Sequence, residues 1–234
     1  MKKENMIIAA IDVGKFSNIG TASTPEKVIP CDEGRFVFFE KLLNNLKTPL
    51  AIGFEAPLFI PGKIEEKMTC SRPNIDRDRP WTCTSSFQCL FPILNQFFAT
   101  LKSKWTDASV FTSYEDFNAN NNPHRVLIFE SFISKQAENT DNGQEFCEES
   151  YNDHDADANL TIALFRKFCE KRESAGPKPD IYKTYLSLPR IFAHYHGISY
   201  DNSQGGLIVK SAKPFKNKNQ KWCYSESEMS WIIW

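Results

Sequence analysis

Met6 to Asp12 is a short, unbroken apolar run that stops at Asp12-Val13-Gly14, the pattern of a strand covered on both faces with a tight exit at Gly14. Phe16 to Ala22 reads as a returning second strand and Lys27 to Cys31 as a third. Between Arg35 and Leu46 the apolar residues Phe36, Phe39, Leu42, Leu43 and Leu46 recur at helical spacing, so a helix is expected there. Pro49 to Pro57 is a second buried strand, and it too places an acid, Glu55, at its C-terminal end.

Residues 59 to 86 break this rhythm with Pro61, Gly62, Pro73 and Pro80 and a charged run from Arg72 to Arg79, and they read as an irregular insertion. Phe87 to Leu101 returns to helical periodicity with Pro92 near its first turn. Ala108 to Thr112 reads as a strand, Glu115 to His124 as a polar, Asn-rich loop with His124 solvated, and Val126 to Glu130 as another apolar strand ending in an acid. An acidic loop from Glu138 to Glu149 leads to Asn152-Asp153-His154-Asp155-Ala156-Asp157-Ala158-Asn159, which opens the run Leu160 to Phe168. Past Pro177 and Pro179, a helix is expected over Ile181 to Tyr195 with Pro189 inside it, then a Gly205-Gly206 turn and a strand at Leu207 to Val209. The region from 176 to 234 reads as a C-terminal extension of one domain spanning 1–234.

The acids before Leu160 suit a helix N-terminus, where carboxylates meet unpaired amides and the positive end of the dipole. Residues three or four apart share a helical face, so Asp153, His154 and Asp157 lie together and Asp155 points elsewhere. Leu160, Leu164 and Phe168 continue from Asp157 at i+3, i+7 and i+11, which turns the Asp157 face inward. An inward carboxylate needs a partner, and a metal ion or a buried cation is the usual one.

Composition narrows the class without naming it. With 41% hydrophobic residues in 234, the chain supports a sizeable core. The net charge of −1 supplies no global field for nucleic acid, so any such binding needs a local patch. Seven scattered cysteines without a Cys-x-x-Cys pair read as reduced thiols, and no apolar run reaches transmembrane length, which together suggest a cytoplasmic protein. The spacing of Cys70, Cys83, Cys89 and His194 or His196 matches no usual zinc knuckle.

Three apolar strands thus end in acids (Asp12, Glu55, Glu130) and a helix begins with Asp157. In a sheet with helices between its strands, functional groups gather at strand C-termini, so these four acids are expected to converge. Such a set suits hard divalent cations, which take oxygen ligands and bring charge close to phosphate.

Ile11-Asp12-Val13-Gly14 on the first strand, Glu55 on a later strand and His154-x-x-Asp157-Ala158 at a helix start resemble the RNase H-like superfamily, particularly RuvC-type resolvases. Phe54-Glu55-Ala56-Pro57-Leu58, Asp78-Arg79-Pro80-Trp81, Phe129-Glu130-Ser131-Phe132 and His154 to Ala158 are more closely similar to the RNase H-like predicted nucleases of domain of unknown function 429. The resemblance covers roughly residues 6 to 168. It implies an α/β, RNase H-like fold with a five-stranded mixed sheet flanked by helices. It also implies two-metal phosphodiester hydrolysis with Mg²⁺ or Mn²⁺, in which Asp12, Glu55 and Asp157 are ligands and His154 or Glu130 completes the site. Asp153 shares the Asp157 face and joins the candidate ligands. His154 stands where many relatives carry an acid, which leaves open a weaker second metal or a role for His154 on the nucleophilic water.

For a nucleic-acid substrate, DNA or RNA, Arg79 beside Pro80 and Trp81 is a candidate phosphate contact. Lys210, Lys213, Lys216, Lys218 and Lys221 form a run without an intervening acid, and Phe215 and Trp222 are interleaved where bases could stack. Trp222, Trp231 and Trp234 otherwise read as packing residues. Two other classes remain open. A non-catalytic binding or scaffold protein could keep the same fold. Asp12-Val13-Gly14 also fits the first phosphate loop of actin-like phosphotransferases, with Gly205-Gly206 as the one candidate for their adenosine segment.

Overall fold

The computed structural model describes residues 6–13, 19–24, 35–44, 48–61, 85–136, 144–147, 153–171, 185–200, 206–225 and 229–233. Its centre is a mixed sheet. The strand β1 (Ile7–Val13) pairs antiparallel with β2 (Ile19–Ser23) and parallel with β3 (Leu50–Glu55), which pairs parallel with the long strand β6 (Arg125–Gln136). On its other side β6 carries two strands in succession. β5 (Ser109–Phe111) lies along its first residues and β10 (Leu207–Lys213) along the rest, both parallel, and the Leu207 amide donates to the Thr112 carbonyl where one follows the other. β9 (Ser199–Tyr200) joins β5, and β13 (Ser230–Ile233) closes the edge antiparallel to β10. Among the described residues the sheet therefore has eight strands where five were expected, because β9, β10 and β13 come from the region that read as an appended extension.

Helices cover both faces, which is why the central strands carry unbroken apolar runs. On one face α1 (Arg35–Asn44), α2 (Ser85–Lys104) and α5 (Leu188–Tyr195) bury Phe38, Phe39, Leu94, Phe97 and Phe192 against Ile11, Ile52, Phe54 and Ile128. On the other face lie α4 (Asp153–Lys171) and α3 (Tyr114–Ala119). The expected stripe Leu160, Leu164 and Phe168 is buried there, widened by Ala158, Ile162 and Phe165. Phe165 stacks on Phe129 of β6 with centroids 4.5 Å apart, and the Thr161 and Ser131 hydroxyls share a buried hydrogen bond of 2.7 Å. Gly53 permits this approach, since a Cβ there would stand 2.5 Å from the Phe129 ring and 2.7 Å from Thr161.

Several local expectations change. Helix α3 replaces the first half of the Asn-rich loop: Ser113 caps it by accepting from the Asp116 amide, Glu115 and Asp116 suit the dipole in its first turn, and Phe117 anchors it in the core. His124 is a partly exposed loop residue as expected, and it is also held, stacked on Trp105 at 4.9 Å with its Nδ1 at 2.7 Å from Asp107 Oδ1, a hydrogen bond that lowers the pKa of Asp107. Pro189 opens α5 instead of interrupting a longer helix, because the Ser187 cap and the short strand β8 (Tyr185–Ser187) precede it. β8 pairs with β4 (Phe59–Pro61), at the start of the expected insertion. Helix α2 begins two residues early and carries Pro92 in its interior, on the solvent side. Lys27 to Cys31, most of 59–86 and Trp234 lie outside the described residues.

A second, small sheet is built from β7 (Gln144–Cys147), β11 (Phe215–Lys216) and β12 (Trp222–Tyr224), in the order β11-β12-β7. β7 arises inside the expected acidic loop and packs against α4.

Candidate metal centre

Asp12 and Glu55 are direct neighbours across the parallel β1–β3 pair, each at or beside its strand's C-terminal end. Their side chains rise from the face covered by α4, the face of Ala10 and Gly53, because neighbouring residues on a strand alternate sides. On the other flank Asp12 faces Gly20 of β2. The first turn of α4 lies directly on this glycine: a Cβ at Gly20 would stand 2.1 Å from the His154 carbonyl oxygen and 2.7 Å from the Asp155 amide nitrogen. That contact sets the height of the helix start over the sheet, and the next turn carries Asp157 inward.

The outcome is a cluster in which one carboxylate oxygen each from Asp12, Glu55 and Asp157 lies within 4.8 Å of the others. Asp12 and Asp157 are buried and Glu55 is partly exposed. His154 Nδ1 pairs with Asp12 Oδ2, and the His154 side chain remains 35% exposed at the mouth of the cluster. Asp155, which points elsewhere in the helical reckoning, is outside the cluster although it too is buried. Its carbonyl accepts a hydrogen bond from Asn159.

An all-oxygen, all-anionic donor set of this kind fits hard divalent cations such as Mg²⁺ or Mn²⁺ far better than soft or thiolate-seeking metals. Uncompensated, three carboxylates this close repel one another, so a cation relieves the arrangement as well as binding to it.

Glu130 does not join them. It stands opposite Phe54, not Glu55, and therefore faces the α2 side of the sheet. There it is fully buried and its Oε2 accepts from the Leu58 amide at 2.9 Å. The position level with Glu55 on β6 is Ser131, already committed to Thr161. Glu130 instead ties down the turn that leaves Glu55, and the Leu58 carbonyl in turn accepts from Leu188 at the start of α5. Glu130→Gln is accordingly expected to keep both the fold and any metal-induced rise in Tm, since an amide oxygen can still accept from Leu58. Glu130→Ala strands a buried amide and is expected to cost about 1–3 kcal/mol in chemical denaturation. A loss of the metal response in Glu130→Gln would return this residue to the ligand set.

The remaining candidates divide. The Asp153 side chain, Arg79 and Trp81 lie outside the described residues, as does the Lys213 side chain. Lys210 is half-buried with Nζ 5.8 Å from the centre of the Phe132 ring. Lys216, Lys218 and Lys221 are exposed on the β11–β12 hairpin. Phe215 and Trp222 are buried in the small sheet, with Lys216 Nζ 5.0 Å above the Trp222 ring, so neither offers a free face for base stacking. Trp231 packs against Phe168. Cys89 is a buried free thiol, and His196 stacks on Phe98 and bonds to Asn95, so neither takes part in a zinc site among the described residues.

Comparison of the chain with family models, with curated proteins and with solved structures returns no match. No helix among the described residues is long and apolar enough to cross a membrane.

Proposed function

We propose that the protein is a metal-dependent nuclease of RNase H-like type, hydrolysing phosphodiester bonds at the Asp12–Glu55–Asp157 cluster. The observation that carries this reading is the convergence of three carboxylates from β1, β3 and the start of α4, within 4.8 Å, at the C-terminal edge of a mixed sheet. Of the sequence motifs that resemble RNase H-like nucleases, Ile11-Asp12-Val13, Phe54-Glu55 and His154 to Ala158 lie on these same elements.

Divalent cations bound by such a cluster supply water activation and neutralisation of charge on the leaving oxygen in an in-line displacement at phosphorus. Asp12 would hold such a cation beside Glu55, its neighbour on the next strand, with its Oδ2 paired to His154. Glu55 and Asp157 hold the two flanks. The His154 ring fixes the orientation of the Asp12 carboxylate and, being partly exposed, stands where a substrate arrives. The partial exposure of Glu55 keeps the cluster open on that side.

The test is cleavage of labelled single-stranded DNA, duplex DNA, RNA and hybrid by the whole chain with Mg²⁺ or Mn²⁺. Removal of an outer-shell partner at a metal site already costs about 10–100-fold, so Asp12→Asn is expected to lose more than about 100-fold. Cleavage that survives in Asp12→Asn, or that ignores chelation by EDTA, overturns the reading.

A further inference from the structure

The cluster carries anionic groups and the chain as a whole is nearly neutral, so a polyanionic substrate has to be held by cations placed elsewhere. The topology puts one set of exposed lysines on the same edge. At the level of Glu55 the sheet reads Gly20, Asp12, Glu55, Ser131, Val209 from β2 to β10. β1 and β3 stop there, whereas β6 continues from Ser131 to Gln136 and β10 from Val209 to Lys213, still paired at Lys213 and Gln136. At roughly 3.3 Å per residue, this pair overhangs the carboxylates by about 15 Å. The β11–β12 hairpin follows at the end of the overhang. Its strand β12 pairs with β7, and β7 packs on α4, the helix that supplies His154 and Asp157. The hairpin therefore shares both the edge and the face of the cluster.

Its tip is also rigid. The Asn217 side-chain oxygen accepts from the amides of Asn219 (2.9 Å) and Lys221 (3.0 Å), while its backbone amide donates to the Lys221 carbonyl and its carbonyl accepts from Gln220. Gln220 takes the left-handed conformation at φ 60°, as three-residue hairpin loops require. Lys216, Lys218 and Lys221 are thus presented from a fixed backbone, all exposed.

We propose that Lys216, Lys218 and Lys221 on the β11–β12 hairpin grip the phosphodiester backbone of a nucleic acid whose scissile phosphate lies at the Asp12–Glu55–Asp157 cluster. The inference rests on the nuclease reading of that cluster. Along the duplex axis each strand carries a phosphate every 3.4 Å or so, so an overhang of about 15 Å corresponds to roughly four to five steps from the cut.

The experiment measures binding of labelled duplex DNA by anisotropy in Ca²⁺ against KCl concentration, using the full chain. Each lysine that neutralises a phosphate steepens the log–log salt dependence by about 0.9, so the Lys216→Ala, Lys218→Ala, Lys221→Ala triple variant is expected to lose up to about 2.7 from the slope. Lys218→Ala alone should lose about 0.9, and the triple arginine variant should keep the wild-type slope. A wild-type slope in the triple alanine variant overturns the inference and leaves the nuclease reading standing. No binding of duplex, single strand or RNA by the wild type sinks both. Equal loss of heparin and DNA binding, with no position-dependent protection of the strand near the cut, assigns the hairpin to generic polyanions and overturns the grip as stated.

Discussion

Mn²⁺ is expected to raise the Tm of the wild-type chain, and Glu55→Gln to show the reverse pair of properties: a higher Tm than wild type without metal, and no response to metal. The reason lies in the same 4.8 Å geometry. Ionised carboxylates at such separations near a protein surface repel by on the order of a few kcal/mol per pair, less what their other partners, His154 on Asp12 among them, offset. Replacing one carboxylate by an amide of the same shape removes much of that repulsion, the usual exchange of function for stability at a strained site. In the wild type a bound cation would do the neutralising instead. At a free concentration 100 times Kd it adds about 2.7 kcal/mol, which for a domain of this size is roughly 5–11 °C in Tm. Differential scanning fluorimetry on the two proteins, with and without Mn²⁺ and with EDTA as control, reads both effects. A wild type that does not respond to Mg²⁺, Mn²⁺ or Ca²⁺ excludes a metal centre here, and a Glu55→Gln variant that responds like wild type removes Glu55 from it.

Asp12, Glu55 and Asp157 were legible in the sequence because each sits at the end of a pattern that leaves little freedom. Two unbroken apolar runs stop at an acid, and the stripe Leu160, Leu164, Phe168 marks which of the crowded acids before it shares the face of the cluster, although Asp155 is buried as well. Glu130 obeys the same strand-end rule and yet lies on the opposite face, since a shift of one residue in register exchanges the two sides of a sheet. Register is a property of the partner strand, and Phe54, not Glu55, is the partner of Glu130. The eight-stranded count was hidden for a related reason: β10 finds its parallel partner β6 some 80 residues earlier, and nothing local to Leu207–Lys213 announces such a pairing. Helix α3 escaped because its only buried anchor is Phe117, too little periodicity to outweigh an Asn-rich composition. The signal for Gly20 was present, a glycine inside a strand, which marks close backbone approach. It could not say what approaches.

What approaches is the start of α4, and the largest structural effect is expected from the smallest substitution, Gly20→Ala. The added methyl would stand 2.1 Å from the His154 carbonyl oxygen and 2.2 Å from its carbonyl carbon, both backbone atoms that no rotamer change can move aside. Either β2 peels from β1 or the first turn of α4 lifts. Overpacking of this kind costs about 1–3 kcal/mol, and at 2–4 °C per kcal/mol for a chain of this size the Tm is expected to fall by roughly 2–12 °C. β2 is held to β1 by a continuous antiparallel ladder from Ala9–Ser23 to Val13–Ile19, whereas the helix start has only its first turn to yield. The displacement therefore falls mainly on His154 and Asp157. Carboxylates that must converge on one ion within a few tenths of an ångström do not tolerate such a shift, so Gly20→Ala is expected to lose the Mn²⁺ response although every carboxylate is still present. Scanning fluorimetry with and without Mn²⁺ checks both parts at once. A Gly20→Ala protein with the wild-type Tm shows that α4 does not rest on β2 as described. One that is destabilised yet keeps the full metal response shows that the cluster does not depend on the height of that first turn.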